Sequence, residues 1–184
     1  MSTGGFEDAR SGAARGDQAA ISALYRELNP PLVRYLRHQV GRFAEDTASD
    51  VWMGLVPQLA GFDGSLAQWR VLMFTIARRR VVDHHRRRGR TPEPFALDET
   101  WDQANTADTE EQVIDNLTAQ DAVAALVRGL PPDQAEIVLL RVLGGLDAAE
   151  VAEIVGKSTG AVRIAQHRAL QRLERTWRRK VVTR

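Results

Sequence analysis

The stretch LDAAEVAEIVGKSTGAVRIAQHRALQRL, residues 146–173, decides the fold. Asp147 and Glu150 have the spacing of a capping box, in which side chains satisfy free backbone donors at the start of a helix. Three apolar residues then recur at spacings of three and four: Val151, Ile154 and Val155. They form one apolar stripe along a short helix, which Gly156 can end in a left-handed conformation.

A second helix follows at once, and Ser158 or Thr159 can cap it. Its apolar positions share one face: Val162, Ala165, Ala169, Leu170 and Leu173. Its basic positions share the opposite face: Arg163, His167, Arg168 and Arg172. Two helices joined by a tight glycine turn, the second one basic, predict a helix-turn-helix that lays a recognition helix into the major groove of DNA. Plain helical bundles can show the same pattern, so that alternative stays open.

Composition limits the class of protein. At 184 residues, 43% hydrophobic and 27% charged, the chain can form one or two small globular domains. It has no cysteine, which excludes a disulfide framework and a thiolate metal site and fits a reducing cytosol. The apolar stretch at residues 71–77, interrupted only by Thr75, is far below the ~20 residues that span a bilayer, and no signal segment is visible. We expect a cytoplasmic protein that does not insert into a membrane.

The net charge of +1 hides a segregation of charge along the chain. Residues 70–90 contain eight arginines and one acid, whereas residues 91–127 contain nine acids and no lysine or arginine. This pattern indicates a surface for a polyanion beside a self-repelling linker. Two hypotheses for the linker stand side by side, a nucleic-acid mimic inside a larger assembly and a solvated disordered tether.

The periodicity is helical, and no alternation with a period of two persists. Pro30 and Pro31 are expected to separate two helices, because proline interrupts a helix interior. The apolar first half of a long helix over residues 66–88 places four side chains on one stripe: Trp69, Leu72, Met73 and Ile76. We predict an all-α fold of two small helical domains joined by an acidic flexible linker. The expected segments are a mobile tail (1–16), a first domain (17–90), the linker (91–118), a helix-turn-helix domain (119–178) and a tail (179–184).

Both domains carry residues that point to one family. In the second domain these are Leu130-Pro131, Gly145-Leu146, Glu150-Val151-Ala152, Gly156, Gly160-Ala161-Val162-Arg163 and His167-Arg168-Ala169. In the first they are Ala44-Glu45-Asp46, Asp50, Trp52, Phe62, Phe74, Ile76-Ala77-Arg78, Asp83 and Arg86-Arg87. In this pattern the chain resembles the extracytoplasmic-function (ECF) sigma factors, the compact two-domain initiation factors of bacterial RNA polymerase. It departs from the family's frequent residues at Ser49, Leu72, Arg79 and Ile164-Ala165.

The resemblance implies a function for each domain. The second domain would read the upstream (−35) promoter element as duplex and touch the flap of the polymerase β subunit. The first would dock on the clamp of the β′ subunit and would open and read the downstream (−10) element as single strand. An inhibitory anti-sigma factor is a further implied partner. Catalysis would belong to the polymerase, and no motif for an enzyme or a cofactor appears in the chain.

The candidate residues for the upstream element lie around the second helix of the helix-turn-helix. Arginine's planar fork matches the two acceptors of guanine, which favours Arg163 and Arg168 as base readers. Ile164 and Thr159 could contact a thymine methyl, whereas Lys157 could hold a phosphate. The full set is Lys157, Ser158, Thr159, Arg163, Ile164, His167 and Arg168. The alternative for these basic side chains is a solvated helix face.

Opening a duplex requires an unpaired base to be captured on a stacking surface with counter-charge nearby. The candidates are Asp63, Gly64, Ser65, Trp69, Arg70, Arg78, Arg79, Arg80, Asp83, Arg86 and Arg87. Trp69 lies on an apolar stripe and could equally be core. A metal site at Asp83, His84 and His85 is not expected, because consecutive helical side chains point about 100° apart.

Acids and an aromatic on one helix would form the surface that docks on the polymerase if the aromatic is exposed and they share one helical face. The candidates are Asp46, Ser49, Asp50, Trp52 and Met53, although such residues could also be core or caps. Two rival functions remain open from sequence. One is a helix-turn-helix regulator that acts without replacing a sigma factor, and the other is a helical RNA-binding or protein-interaction module.

Overall fold

The computed structural model describes residues 3–89 and 126–182 of the chain. The chain divides into two compact units, Met1–Gly89 and Arg90–Arg184, here called the N-terminal and C-terminal units. All regular structure in the described residues is helical, which confirms the predicted all-α class of two helical domains. The predicted acidic linker, residues 91–118, lies outside the described residues.

Four α-helices build the N-terminal unit. They are α1 (Thr3–Ala14), α2 (Gln18–Val40), α3 (Ala44–Leu55) and α4 (Leu66–Arg87), with 3₁₀ segments at Gly41–Phe43 and Val56–Gly61. The core is rich in aromatic and leucine side chains that are fully buried, among them Trp69, Tyr35, Phe74, Leu24 and Leu32. The third helix passes into a 3₁₀ segment at Pro57, where the sequence predicts a kink or an end.

The expectation of a mobile tail at residues 1–16 is wrong for its described part, because α1 packs into the core. Phe6 is fully buried, and Ala9 and Ala13 lie on the same buried face. Helix α1 lies so close to α2 that a Cβ on Gly12 would come 2.8 Å from the Cβ of Ala20. The small residues that suggested a tail therefore allow two helices to approach closely.

The expected break at Pro30 and Pro31 is also wrong, because α2 continues through both prolines. A proline inside a helix lacks a backbone donor and clashes with the preceding turn, at a cost of about 3 kcal/mol. Leu28, Leu32 and Leu36 are buried along one stripe that crosses the prolines. Burying each of them contributes roughly 1.5–3 kcal/mol, so the three together offset a cost of the same size from the two prolines.

The long helix α4 begins where the sequence predicts. The Ser65 hydroxyl accepts from the Gln68 backbone N–H at 3.3 Å, and Gln68 Oε1 accepts from the Ser65 backbone N–H at 2.8 Å. Trp69 and Met73 lie in the core as expected, but Leu72 and Ile76 are only half-buried. The buried stripe of α4 instead continues along the helix through Phe74, Ala77 and Val81.

Three α-helices build the described part of the C-terminal unit: α5 (Pro132–Val142), α6 (Ala148–Val155) and α7 (Thr159–Val182), preceded by a 3₁₀ segment at Val127–Gly129. The residue type of Asp133, just after two prolines, predicts a helix cap, but Pro131 holds the cap position of α5 and Asp133 lies in the first turn. Helical periodicity places the apolar residues Val142 and Leu170 toward the interior, but both are about half exposed, at 46% and 52%. Leu139 in α5 and Leu143, directly after it, are buried instead of Val142.

The burial of Phe6 leads to a stability prediction. Phe6→Ala should lower the free energy of unfolding of the N-terminal unit by about 3–5 kcal/mol, because it removes a fully buried aromatic side chain. Urea denaturation followed by tryptophan fluorescence measures the loss. Glu7→Ala, a change at the exposed neighbour on the same helix, is the matched control. Equal stability of the two variants would mean that α1 is not part of the folded unit.

Candidate nucleic-acid interface

Helix α6 and the turn after it have the local geometry that the sequence predicts. Asp147 Oδ1 accepts from the backbone N–H groups of Ala149 at 2.7 Å and Glu150 at 2.9 Å. Glu150 Oε2 accepts from the Asp147 backbone N–H at 2.6 Å, which completes the capping box. These backbone donors hold the pKa of Asp147 below its usual range, helped by the charges of Arg141 and Arg163. Gly156 ends the helix in the left-handed conformation, with φ of 69°.

Helix α7 follows this turn directly and is fixed on one side by its buried residues. The Ser158 hydroxyl accepts from the Ala161 backbone N–H at 3.2 Å and so caps the helix. Val162 and Ala169 are fully buried. Because these two residues face the core, the side chains on the other face of α7 point into solvent from a rigid support.

The structure brings four of the seven upstream-element candidates onto one exposed surface of α7. Their spacing of one, three and one residues places them side by side along the helix: Arg163, Ile164, His167 and Arg168. We call these four residues the α7 surface. Ile164 is 55% exposed, which is unusual for an isoleucine and suits contact with a thymine methyl. His167 shares a hydrogen bond of 2.9 Å with Gln171.

The other three upstream candidates make interactions within the protein. Ser158 caps α7, and Thr159 is half-buried in its first turn. The Lys157 ammonium forms an ion pair with the Asp133 carboxylate of α5. Both partners of that pair are partly exposed, so Lys157 remains accessible at the turn between α6 and α7.

The downstream-element candidates fall into four structural classes. Trp69 is fully buried between the rings of Phe6 and Phe62, so the hypothesis that it stacks on a base is wrong for this structure. Gly64 and Ser65 shape the turn before α4, which leaves Asp63 as its exposed acidic side chain. Arg70, Arg78 and Asp83 are half-buried.

Four arginines of the second half of α4 are exposed: Arg79, Arg80, Arg86 and Arg87. We call them the arginine patch. None of the four forms an ion pair with a carboxylate within residues 3–89. Like charges this close repel one another in water, and a polyanion would relieve that repulsion.

Next to the arginine patch lies a cluster that the sequence reasoning missed, centred on Phe43. The guanidinium of Arg88 lies 4.1 Å from the centroid of the Phe43 ring and that of Arg42 lies 5.0 Å away. The His84 ring is 4.9 Å from the same centroid. Cations on an aromatic face contribute about 0.5–1 kcal/mol each at exposed sites. The signal available in the sequence was the phenylalanine between Arg42 and an acidic helix start, but its other two partners, His84 and Arg88, are more than forty residues away.

The candidate docking residues of α3 are divided between surface and core. Asp46, Ser49, Asp50 and Met53 are exposed on one helix face, which we call the α3 surface, and Met53 is 67% exposed. Trp52 does not belong to it, contrary to the expectation of an exposed aromatic. Its ring is buried, 5.2 Å from the Tyr25 ring, and its Nε1 donates to Asn29 Oδ1 at 3.0 Å.

Two negative findings apply to the described residues. No group of three or more histidine, cysteine, aspartate or glutamate side chains is arranged to hold a metal ion in residues 3–89 and 126–182. Over the same part of the chain, no helix is both long enough and apolar enough to span a bilayer.

Comparison with known proteins matches both units. The family models described as Sigma-70 region 2 and Sigma-70, region 4 match residues 24–91 and 120–173. The ECF RNA polymerase sigma factor SigD of Mycobacterium tuberculosis is 36% identical over 172 residues, which cover 88% of this chain and 79% of SigD. ShbA, an ECF RNA polymerase sigma factor of Streptomyces griseus, is 34% identical, with 88% and 89% covered. A chain of the 1.8 Å structure of the RsbN-BldN complex is 27% identical, with coverage of 91% of this chain and 98% of that one and a TM-score of 0.37.

The cluster around Phe43 leads to a prediction about His84. Partial burial, followed by the charges of Arg88, His85 and Arg87, lowers the pKa of His84. A bound polyanion opposes those charges, so the pKa should rise when single-stranded DNA of the downstream element binds to the N-terminal unit. NMR titration of the histidine ring resonances, with and without DNA, measures both values. A His84→Gln variant assigns the resonance of His84, and an unchanged His84 pKa in the presence of bound DNA would place that DNA away from this cluster.

Proposed function

Because this chain belongs to the ECF sigma factors of bacterial RNA polymerase, we propose that its two helical units divide one promoter between them. The protein is a promoter-recognising sigma factor that directs transcription. Its C-terminal unit reads the upstream element as duplex, and its N-terminal unit reads the downstream element as single strand. The family is a non-catalytic initiation factor, so the chemistry of RNA synthesis belongs to the polymerase.

The exposed α7 surface is the observation that carries the upstream assignment. It combines two guanidinium forks with an exposed isoleucine and an imidazole on a capped helix that has its opposite face buried. Arg163 and Arg168 each offer two parallel donors to a guanine, and each good pair discriminates by ~1–3 kcal/mol. Lys157 and the backbone donors at the start of α7 supply phosphate contacts that set the register.

The downstream assignment relies on different chemistry. The arginine patch supplies charge along the DNA backbone, and the turn at residues 62–65 supplies an exposed edge at the start of the same helix. With Trp69 in the core, stacking by that tryptophan is not part of this proposal. Capture of the unpaired base is assigned instead to the turn that carries Asp63.

The α3 surface is our candidate for docking on the clamp of the polymerase β′ subunit. It places two carboxylates beside a methionine that is 67% exposed, a mixture suited to an interface with a basic partner. Three further points belong to the proposal. The C-terminal unit contacts the flap of the β subunit, an anti-sigma factor restrains the protein, and the protein acts in the cytoplasm.

Run-off transcription tests this function directly. Purified chain added to core RNA polymerase should start transcripts at a cognate promoter selected from random DNA by the holoenzyme. Asp50→Arg should weaken co-purification with core enzyme and reduce the transcript, because it reverses a charge on the α3 surface. Glu7→Arg, an exposed charge reversal on α1, is the matched control. Specific DNA binding by the chain without any transcript would instead indicate a regulator that does not replace a sigma factor.

The α7 surface leads to a second prediction. Arg163→Ala should reduce discrimination at one position of the upstream element by ~1–3 kcal/mol while leaving core affinity intact. Competition binding of the holoenzyme to promoter variants measures the discrimination at each position. Arg175→Ala, further along the same helix and also exposed, should leave discrimination unchanged. If Arg163→Ala weakens binding to all sequences equally, Arg163 contacts phosphate and does not read a base.

A further inference from the structure

We propose that helix α1 is a positioning element for the downstream-element site, and that Arg10 on α1 determines how sharply the turn at residues 62–65 discriminates an unpaired base. This inference rests on the proposed function and adds a residue and a helix that the sequence pattern had assigned to a mobile tail. Arg10 acts through the turn and need not touch DNA itself.

A direct hydrogen bond joins α1 to the turn. Arg10 Nη1 donates to the Phe62 backbone carbonyl, 52 residues away in sequence. Arg10 is half-buried, and its Nε is buried without a hydrogen-bond partner in the structure. A guanidinium taken partly out of water requires acceptors, so its interaction with this carbonyl is a charge-assisted bond that is costly to lose.

Aromatic packing makes a second connection between the same two elements. The Phe62 ring meets the Trp69 ring edge-on, with centroids 4.8 Å apart and an interplanar angle of 70°. Trp69 also packs near Phe6 of α1, with ring centroids 6.4 Å apart. Phe6 and Trp69 are both fully buried, so a shift of α1 would be transmitted through Trp69 to Phe62.

The turn itself has little freedom to absorb such a shift. A Cβ added to Gly64 would lie 2.7 Å from Phe62 Cζ and 2.8 Å from Gln68 Oε1. Ser65 is engaged in the capping box that starts α4. Asp63, exposed between these constrained residues, is therefore oriented by Phe62 on one side and by the cap on the other.

Helix α1 is in turn fixed on α2, so it can serve as a support. The Asp17 backbone N–H donates to the Gly12 carbonyl at 3.0 Å, and Asp17 Oδ1 caps α2 by accepting from the Ala19 backbone N–H at 2.8 Å. The close approach of Gly12 to Ala20 adds a tight steric contact. Packing contacts therefore connect α2 to α1, and α1 to the turn.

The test compares Arg10→Met with Arg10→Lys and with the control Arg15→Met, which alters an exposed arginine just after α1. Each full-length variant is assembled with core polymerase. Core affinity and binding to the upstream duplex are measured first. Holoenzyme is then bound to a template whose downstream element is already unpaired and carries either the selected sequence or single-base changes.

We expect Arg10→Met to keep core affinity and upstream binding but to lose about tenfold in discrimination among the unpaired sequences, the size of effect expected for one hydrogen bond to a charged group. Arg10→Lys should restore part of the discrimination, and Arg15→Met should match the wild type. Should Arg10→Met not fold, Arg10→Lys alone must show a smaller loss of the same kind.

Two results would overturn the inference: discrimination by Arg10→Met equal to the wild type, or a loss of core affinity that accompanies the loss of discrimination in proportion. The first leaves the proposed function intact. The proposed function fails separately, if the wild-type holoenzyme itself shows no preference among downstream sequences.

Discussion

The N-terminal unit depends on the burial of Trp69. This indole joins the ring of Phe6 on α1 to the ring of Phe62 at the turn before α4. A fully buried tryptophan is among the largest contributions to a small core, and here it also links the start of the chain to a surface turn. The same side chain therefore contributes to stability and to the shape of the candidate site. Its position also explains why a segment of small residues near the N-terminus forms a helix.

The sequence predicted best what short-range interactions determine. The capping box at Asp147, the left-handed Gly156 and the cap at Ser158 each involve residues no more than four apart, and all three occur in the structure. Helix α1 and the continuous α2 depend on contacts with distant residues, such as Phe6 with Trp69. Local composition predicted a mobile tail in place of α1, and the two prolines predicted a break in α2. Tertiary packing outweighs both local preferences.

In the candidate site, too, local patterns were predicted correctly and contacts with distant residues were not. Periodicity placed Arg163 and His167 on an exposed face, because the opposite face of α7 is apolar in sequence. It could not decide whether a tryptophan on an amphipathic helix is buried, and Trp52 and Trp69 are both in the core. Arg10 had no sequence signal at all, since its acceptor is a main-chain carbonyl that any residue at position 62 would offer.

The arginine patch on α4 has a physical consequence beyond recognition. In the proposed downstream site, arginines without carboxylate partners in residues 3–89 would neutralise DNA phosphates themselves and displace condensed counterions on binding. For each phosphate neutralised, the logarithm of the binding constant falls by about 0.7–0.9 for every tenfold rise in salt concentration. Promoter occupancy through this patch would then depend on the ionic strength around the protein, at a constant amount of sigma factor.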